Sequence, residues 1–204
     1  TQLGDIKGKK ILDFGSGEGI TANYYAKDNE VVAVEPWEEM LQNRWQDYDY
    51  VQLQGDISAV AEMQENSFDM VFCHNVLEYI DDKEQVVKKL CRVLKPGGVL
   101  SIVKHNRAGR VMQMAVLLDD FDKAHDLLDG KDSAASKFGA IRYYEDGCVS
   151  KWAPALKMVD CFGIRTFWDL QQKQEKHGLD EWQDKMMELE LRVSQMEEYR
   201  NIAF

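Results

Sequence analysis

The sequence predicts an α/β fold in which a doubly wound parallel sheet of seven strands carries a helical insertion. Short apolar runs alternate with segments of helical spacing, which is the pattern of parallel strands joined by crossover helices. The first apolar run leads into three closely spaced glycines and then into a helical pattern, as in a strand-to-helix turn. The 204 residues, 45% of them hydrophobic, suit one domain over 1–204 with an elaboration.

The predicted elements follow the hydrophobic periodicity in chain order. Strands are expected at 11–14, 30–35, 50–57, 68–73, 99–103 and 162–168, and a seventh, incomplete strand begins at 202–204. Helices are expected at 20–26, 37–45, 82–94, 111–118, 148–159 and 179–200. The last helix has an apolar stripe at steps of three and four. Pro154 must start the fifth helix late or kink it.

The glycine turn at 15–19 is the best-defined candidate ligand site. Glycine permits positive φ angles and has no Cβ, so the backbone of such a turn can approach a ligand closely. A dinucleotide fingerprint, G-x-G-x-x-G, would place its third glycine at position 20, which is Ile20. Here the third glycine comes earlier, at Gly19. The alternative is a tight structural turn in some other α/β protein.

An acidic residue at the end of the second predicted strand is the next candidate. Glu35 lies 20 residues after Gly15, where an open α/β sheet commonly places the acid that holds a ribose. A carboxylate suits this task because it can accept hydrogen bonds from both ribose hydroxyls. The alternative is a surface glutamate at a strand end, before Pro36 stops the strand.

The G-x-G-x-G motif after an acid resembles motif I of the class I S-adenosylmethionine-dependent methyltransferases. The later string Leu-Lys-Pro-Gly-Gly-Val-Leu, at 94–100, is also typical of this family, and the resemblance covers 9–104. It implies a Rossmann-like methyltransferase sheet with S-adenosylmethionine as the cofactor. In the family, an acid after the third strand contacts the adenine amino group and the next backbone N–H contacts a ring nitrogen, which implicates Asp56 and Ile57.

The motif and the resemblance together give a set of candidate cofactor-binding residues. His74 belongs to it through its backbone carbonyl, which the resemblance places near the cofactor's amino group. The complete set is Asp13, Gly15, Ser16, Gly17, Gly19, Glu35, Pro36, Asp56, Ile57 and His74.

Over 11–199 the chain resembles one branch of the family in particular. This branch is the bacterial tRNA methyltransferases that esterify 5-carboxymethoxyuridine at the wobble position. The resemblance rests on the strings at 72–79, 98–103, 163–169 and 189–194, with Asn106 and Tyr199 downstream of two of them. It implies methyl transfer to a carboxylate on tRNA. The chain departs from the branch at 104–105, where Lys-His replaces an aromatic pair.

A basic segment after the fifth predicted strand supplies the candidate substrate-binding residues. Lys104, Arg107 and Arg110 group three cations in an otherwise acidic chain, and we expect them to bind an anion of the acceptor. The alternative is a solvated loop that caps the next helix. The residues that follow look like a polar excursion, so 107–146 is predicted to be a helical insertion or lid.

The candidate catalytic residues are His105 and Asn106. Methyl transfer from a sulfonium is an in-line displacement, and a carboxylate acceptor is already ionised at neutral pH, so it needs no general base. A hydroxyl or amine acceptor would need one, and His105 or His74 would be the candidates.

Composition limits the function classes further. The formal net charge of −11 argues against non-specific nucleic-acid binding through overall charge. No apolar run approaches the roughly 20 residues of a membrane helix, so no membrane partner is expected. Four scattered cysteines without a C-x-x-C pair suggest reduced thiols in a cytoplasmic protein, and no cluster has metal-ligand spacing.

The sequence therefore leaves the acceptor open. The expected partner is tRNA or a small-molecule acceptor. A small-molecule O- or N-methyltransferase is the first alternative to the tRNA enzyme. A cofactor-binding subunit without turnover is the second.

Overall fold

The computed structural model describes residues 3–136 and 139–203. These residues form two compact units. The first unit comprises 3–104 and 145–156, and the second comprises 105–144 and 157–203.

The first unit is built around a five-stranded parallel sheet. Its strands are β1 (Lys10–Phe14), β2 (Glu30–Glu35), β3 (Val51–Gln54), β4 (Phe68–His74) and β5 (Leu94–Val103). Their order in the sheet is β3-β2-β1-β4-β5, so the direction of progression reverses between β1 and β4. In an open α/β sheet, ligands bind at the carboxyl ends of the strands beside such a reversal.

The helices occupy both units. Those of the first unit are α1 (Ile20–Ala26), α2 (Glu38–Gln42), α3 (Ile57–Ala61), α4 (Lys83–Val93) and α7 (Gly147–Trp152). Those of the second unit are α5 (Arg107–Val116), α6 (Phe121–Leu128), α8 (Asp180–Val193) and α9 (Glu197–Arg200). The second unit also contains the antiparallel pair β6 (Ser133–Ser136) and β7 (Gly139–Ile141).

The central strands are apolar along nearly their whole length because both faces of the sheet are covered. Ile11, Leu12, Val71 and Phe72 are completely buried. Register places Leu12 opposite Val32 on one side and Val71 on the other, so the ends of β1, β2 and β4 coincide at one edge. The apolar strands thereby fix the position of the polar residues that follow them.

The amphipathic helix α4 follows the predicted pattern. Its apolar positions Val86, Val87, Leu90 and Val93 are buried. Asp82 caps its first turn by accepting a hydrogen bond from the backbone N–H of Gln85 at 2.9 Å. The predictions for α1 and β2 match the structure at both ends.

Two of the seven predicted strands do not form among the described residues. The chain at 162–167 has no regular secondary structure, and a short 3-10 helix follows at Trp168–Leu170. Ile202 and Ala203 continue from a turn after α9, and the remainder of the predicted seventh strand lies outside the described residues. The described part of the parallel sheet therefore has five strands rather than seven.

A buried glutamate explains why 162–168 is not a strand. The carboxylate of Glu190, on α8, accepts hydrogen bonds from the backbone N–H groups of Thr166 (2.8 Å), Phe167 (2.8 Å) and Trp168 (2.9 Å). These three donors are the groups that strand pairing would have required. Arg165, just before them, has a positive φ of 59°, which turns the chain.

Several helix boundaries also differ from the predictions. The helix predicted over 148–159 is α7, which ends before Pro154 because proline cannot continue a helix. The helix predicted over 179–200 is interrupted between α8 and α9. The helix predicted over 111–118 begins earlier, as α5. β5 extends back through Pro96, which an edge strand tolerates.

We predict that replacing Glu190 with alanine destabilises the second unit. Glu190→Ala leaves three backbone N–H groups without their acceptor, and Thr166 is only 2% exposed. The expected loss in the free energy of unfolding is about 3 kcal/mol or more. Urea unfolding followed by tryptophan fluorescence measures it. Glu188→Ala, at an exposed position of the same helix, is the control; an equal loss in both variants would contradict the role given to Glu190.

Candidate cofactor site

The glycine turn between β1 and α1 has a backbone that only glycine adopts easily. Gly15, Gly17 and Gly19 have φ angles of 75°, 55° and 74°. A Cβ at Gly15 would lie 2.2 Å from a methyl carbon of Val76, and one at Gly19 would lie 2.3 Å from the hydroxyl oxygen of Tyr50. A Cβ at Gly17 would meet nothing within 4 Å. A side chain at either outer glycine would force Val76 or Tyr50 to move, whereas Gly17 presents open backbone.

Glu35 ends β2 beside this turn and is only 5% exposed. Its Oε2 accepts a hydrogen bond from the backbone N–H of Gly17 at 2.8 Å, and its Oε1 accepts one from Trp37 at 3.0 Å. Each oxygen retains acceptor capacity, because an ionised carboxylate has about four lone-pair positions. The turn and the carboxylate are therefore held together, with acceptor positions left for a ligand. Pro36, which is exposed, directly follows Glu35 and ends the strand.

Asp56 follows β3 at the same edge of the sheet. It is exposed and caps α3, its Oδ1 accepting a hydrogen bond from the backbone N–H of Ser58 at 2.8 Å. The hydrogen bonds from Ser58 lower the pKa of Asp56 from its usual value. The backbone N–H of Gly55 donates to the carbonyl of Glu35 at 3.1 Å, which ties the end of β3 to the end of β2. Ile57, half-buried, opens α3 directly after Asp56.

His74 ends β4, and its ring is partly buried. Its Nε2 and the Oγ of Ser101 on β5 are joined by a 2.9 Å hydrogen bond, and the ring stacks on Phe72 with centroids 5.2 Å apart. Burial lowers the pKa of His74 to about 4. The ring is therefore neutral near neutral pH and is a weak base. Asn75, next in the chain, has a positive φ of 55° and turns the backbone away from the strand.

Asp13 lies inside the sheet, on β1, two residues before Gly15. It is 2% exposed, and the backbone N–H of Ala22 in the first turn of α1 donates a hydrogen bond to its carboxyl group. Burial, with the nearby charge of Glu35, raises the pKa of Asp13 to about 7. Of the predicted cofactor-binding residues, Asp13 is therefore buried beneath the glycine turn rather than displayed at its surface.

The sequence did not identify the residues that support the turn from outside. The backbone N–H of Trp45 donates to the carbonyl of Glu18 at 2.8 Å, and the hydroxyl of Tyr50 donates to the carbonyl of Trp45 at 2.6 Å. Buried Asn23, on α1, accepts hydrogen bonds from the backbone N–H groups of Asp47 and Tyr48. The only sign of these contacts in the sequence was an asparagine inside a short predicted helix. Its position in the sequence does not predict which loop it contacts.

The predicted basic segment makes contacts within its own units. Lys104 pairs with Asp146 at 2.9 Å, both in the first unit. In the second unit, Arg107 donates to the carbonyl of Leu127 at 3.3 Å and lies over the ring of Tyr143, 4.9 Å from its centre. Arg110, also in the second unit, hydrogen-bonds Gln113. These cations support local structure, and any role in anion binding would add to that.

The two predicted catalytic residues lie in the second unit. Asn106 caps α5, accepting a hydrogen bond from the backbone N–H of Ala108 at 3.2 Å. Its amide nitrogen donates to the carbonyls of Asn201 (3.0 Å) and Ala203 (2.8 Å). The side chain of Asn106 therefore ties the start of α5 to the end of the described chain. His105, immediately before it, is half-buried.

Three further features concern metals, membranes and thiols. Within 3–136 and 139–203, no group of three or more His, Cys, Asp or Glu side chains could hold a metal ion. In the same residues, none of the helices has the length and apolar character needed to cross a bilayer. The four cysteines are free thiols, and burial raises the pKa of the Cys73 thiol.

Comparison with known proteins finds relatives for the part of the chain that forms the sheet. A family model described as a methyltransferase domain matches residues 12–102. A ubiquinone biosynthesis O-methyltransferase from Klebsiella pneumoniae is 34% identical over 123 residues, which are 56% of this chain and 50% of the relative. Its counterpart from Pectobacterium atrosepticum is 32% identical over 118 residues, which are 54% of this chain and 48% of that relative. The chain thus spans about half the length of these curated relatives.

One solved structure is similar over a longer stretch. It is a TehB-like methyltransferase from Corynebacterium glutamicum, 20% identical, with a TM-score of 0.51 over 83% of this chain and 76% of that one. At this low sequence identity, the structural similarity supports the fold and not the function. The family match and the relatives support a methyltransferase domain with S-adenosylmethionine as the cofactor over residues 12–102, and the solved structure supports the α/β fold.

Proposed function

We propose that the protein transfers the methyl group of S-adenosylmethionine to an oxygen atom of a small-molecule acceptor. Binding of the cofactor is supported by the position of the Glu35 carboxylate. Its Oε2 lies 2.8 Å from the backbone nitrogen of Gly17, next to backbone that no side chain covers. The acceptor half is supported by the curated relatives, which are named as O-methyltransferases of ubiquinone biosynthesis. A net charge of −11 also favours a small acceptor over a polyanion.

The residues at the sheet edge fit the chemical groups of S-adenosylmethionine. Glu35 would accept hydrogen bonds from the ribose hydroxyls, and Gly17 would allow close approach because no side chain covers it. Asp56, whose pKa is lowered and which is exposed, would accept from the adenine amino group. The cofactor supplies an electrophilic methyl group when bound. The protein's contribution is to bind both reactants, align them and exclude water.

The acceptor determines whether a general base is needed. A carboxylate acceptor is ionised at neutral pH, whereas a phenol or alcohol must lose a proton during transfer. The pKa of about 4 makes His74 a poor base for that step. We propose His105 as the base for a hydroxyl acceptor, with Asn106 beside it in the chain.

The second candidate acceptor is a carboxylate on a modified wobble uridine of tRNA. It is favoured by the grouping of Lys104, Arg107 and Arg110, since several cations in a short segment suit phosphate binding. The resemblance of the strings around 72–79 and 163–169 to the tRNA-modifying branch also supports it. The contacts of these cations with Asp146, Leu127 and Gln113 weaken it, because binding phosphate would compete with those contacts.

Transfer of a labelled methyl group tests the proposal. The protein is incubated with methyl-labelled S-adenosylmethionine and either a panel of phenol, catechol and carboxylate acceptors or bulk tRNA. Label in the small acceptors supports the proposal. Label only in tRNA replaces it with the second candidate. Cofactor binding without transfer to either would indicate a non-catalytic cofactor-binding subunit.

We predict that Glu35→Ala weakens binding of S-adenosylmethionine by at least about tenfold. The substitution removes charge-assisted hydrogen bonds to the ribose, worth roughly 1.5–3 kcal/mol each. Calorimetric titration measures the affinity, and circular dichroism checks the fold. Glu30→Ala, at the exposed opposite end of β2, is the control and should leave the affinity unchanged. Unchanged affinity in Glu35→Ala would remove this residue from the site.

We predict that Gly17→Val abolishes cofactor binding through its side chain. Valine would be strained at a φ of 55°, at a cost of about 1–3 kcal/mol, and would cover the open backbone. Gly97→Val is a matched control, because Gly97 has a φ of 77° and also has nothing within 4 Å. Both variants should lose similar stability, and only Gly17→Val should lose binding. Equal binding by the two variants would make the turn purely structural.

A double substitution separates the two acceptors. If tRNA is the acceptor, Arg107→Ala with Arg110→Ala should raise KM for tRNA and reduce its salt dependence by about 0.7–0.9 log units per lost contact. Cofactor affinity should stay nearly unchanged. Lys131→Ala, an exposed cation paired with Asp126 in the same unit, is the control. An unchanged KM and salt slope would remove the basic segment from acceptor binding.

A further inference from the structure

A carboxyl group buried beneath the glycine turn has one oxygen without a partner. Asp13 is 2% exposed, and its Oδ2 has no hydrogen-bond partner within 3–136 and 139–203. Among the described residues, the backbone N–H of Ala22 donates a hydrogen bond to the carboxyl group. A buried charged oxygen without a partner is costly, whereas a protonated carboxyl is much less so. Asp13 therefore differs from Glu35, whose two oxygens both accept hydrogen bonds.

Among the described residues, the charged group that acts on Asp13 is Glu35, which is negative and does not stabilise an ionised carboxyl. Glu35 faces it from β2, Cys73 from β4 and Tyr50 from the segment leading into β3. From α1, the backbone N–H of Ala22 donates a hydrogen bond to Asp13. Burial disfavours ionisation of Asp13, and the nearby charge of Glu35 acts in the same direction. The pKa of Asp13 is accordingly raised to about 7.

We propose that Asp13 releases its proton when a cationic ligand binds at the glycine turn, and that its charge then favours S-adenosylmethionine over uncharged adenosine. The inference rests on the proposed cofactor. S-adenosylmethionine carries a sulfonium and an ammonium group, and adenosine carries neither. A nearby cation stabilises the ionised form of Asp13, which in turn attracts the cation. Asp13 is then a specificity-determining residue as well as part of β1.

The sign of the pH dependence follows from this linkage. Below about pH 7 the ligand-free protein holds the proton on Asp13, so binding must first displace it. Above about pH 8 the carboxyl is already ionised and binding displaces nothing. The affinity for S-adenosylmethionine should therefore rise about tenfold from pH 6 to pH 8 and then level off. The affinity for adenosine should change little over the same range.

Calorimetry in two buffers of different ionisation enthalpy counts the released protons directly. At about pH 6.5 we expect release of about three-quarters of a proton with S-adenosylmethionine and almost none with adenosine. Asp13→Asn keeps an acceptor for Ala22 and cannot ionise, so proton release and the pH dependence should both disappear. Asp69→Asn is the control. The hydrogen bond from Lys95 lowers the pKa of Asp69, which keeps it ionised throughout, so proton release should not change.

Infrared difference spectroscopy provides a second measurement on the unsubstituted protein, in case Asp13→Asn does not fold. Adding S-adenosylmethionine should remove the band of a protonated carboxyl, and adding adenosine should not. Binding of S-adenosylmethionine without proton release would overturn the inference and leave the proposed function standing. Binding of neither ligand would overturn the proposed function and the inference together. If a folded Asp13→Asn variant still releases a proton on binding S-adenosylmethionine, the proton comes from another group and the inference is wrong.

Discussion

The two hydrogen bonds accepted by the Glu35 carboxylate are the constraint on which the candidate site depends. One fixes the backbone N–H of Gly17 at 2.8 Å and the other fixes that of Trp37 at 3.0 Å. A carboxylate that is 95% buried needs such donors, because an unpaired charge in the interior would be far more costly. The apolar register of β1 with β2 brings the carboxylate to the turn. Core packing and ligand geometry are therefore coupled through one side chain.

In the second unit, a buried glutamate also accepts hydrogen bonds from backbone N–H groups. Glu190 accepts hydrogen bonds from three consecutive backbone N–H groups, Thr166 to Trp168, and so holds a turn where the sequence suggests a strand. In both units a buried glutamate satisfies backbone donors that have no partner in a regular element. At Glu35 the carboxylate also borders open backbone, whereas at Glu190 it accepts from three donors and serves the fold. Surroundings, rather than residue type, separate the candidate binding residue from the structural one.

Local patterns predicted most elements in the first half of the chain, but α3 (Ile57–Ala61) was not predicted and begins inside the strand expected over 50–57. The strands of the sheet and the helix after the glycine turn were set by apolar runs and glycine spacing, which act between near neighbours. The strand predicted over 162–168 failed because its aromatic, alternating pattern is local, whereas Glu190 lies more than twenty positions later. Spacing placed Gly17 and Glu35 at one sheet edge. Asn23 and the unpartnered oxygen of Asp13 emerged only from tertiary contacts and burial.

The central claim is that Glu35 and the open backbone at Gly17 hold S-adenosylmethionine at the carboxyl edge of the sheet. A crystal structure of the protein with S-adenosylhomocysteine tests it most directly. The account predicts that both ribose hydroxyls lie within about 3 Å of the Glu35 carboxylate, and that the ligand passes over Gly17 without displacing the turn. A ligand bound elsewhere, or a ribose held by other side chains with Glu35 contacting only the backbone, would contradict it.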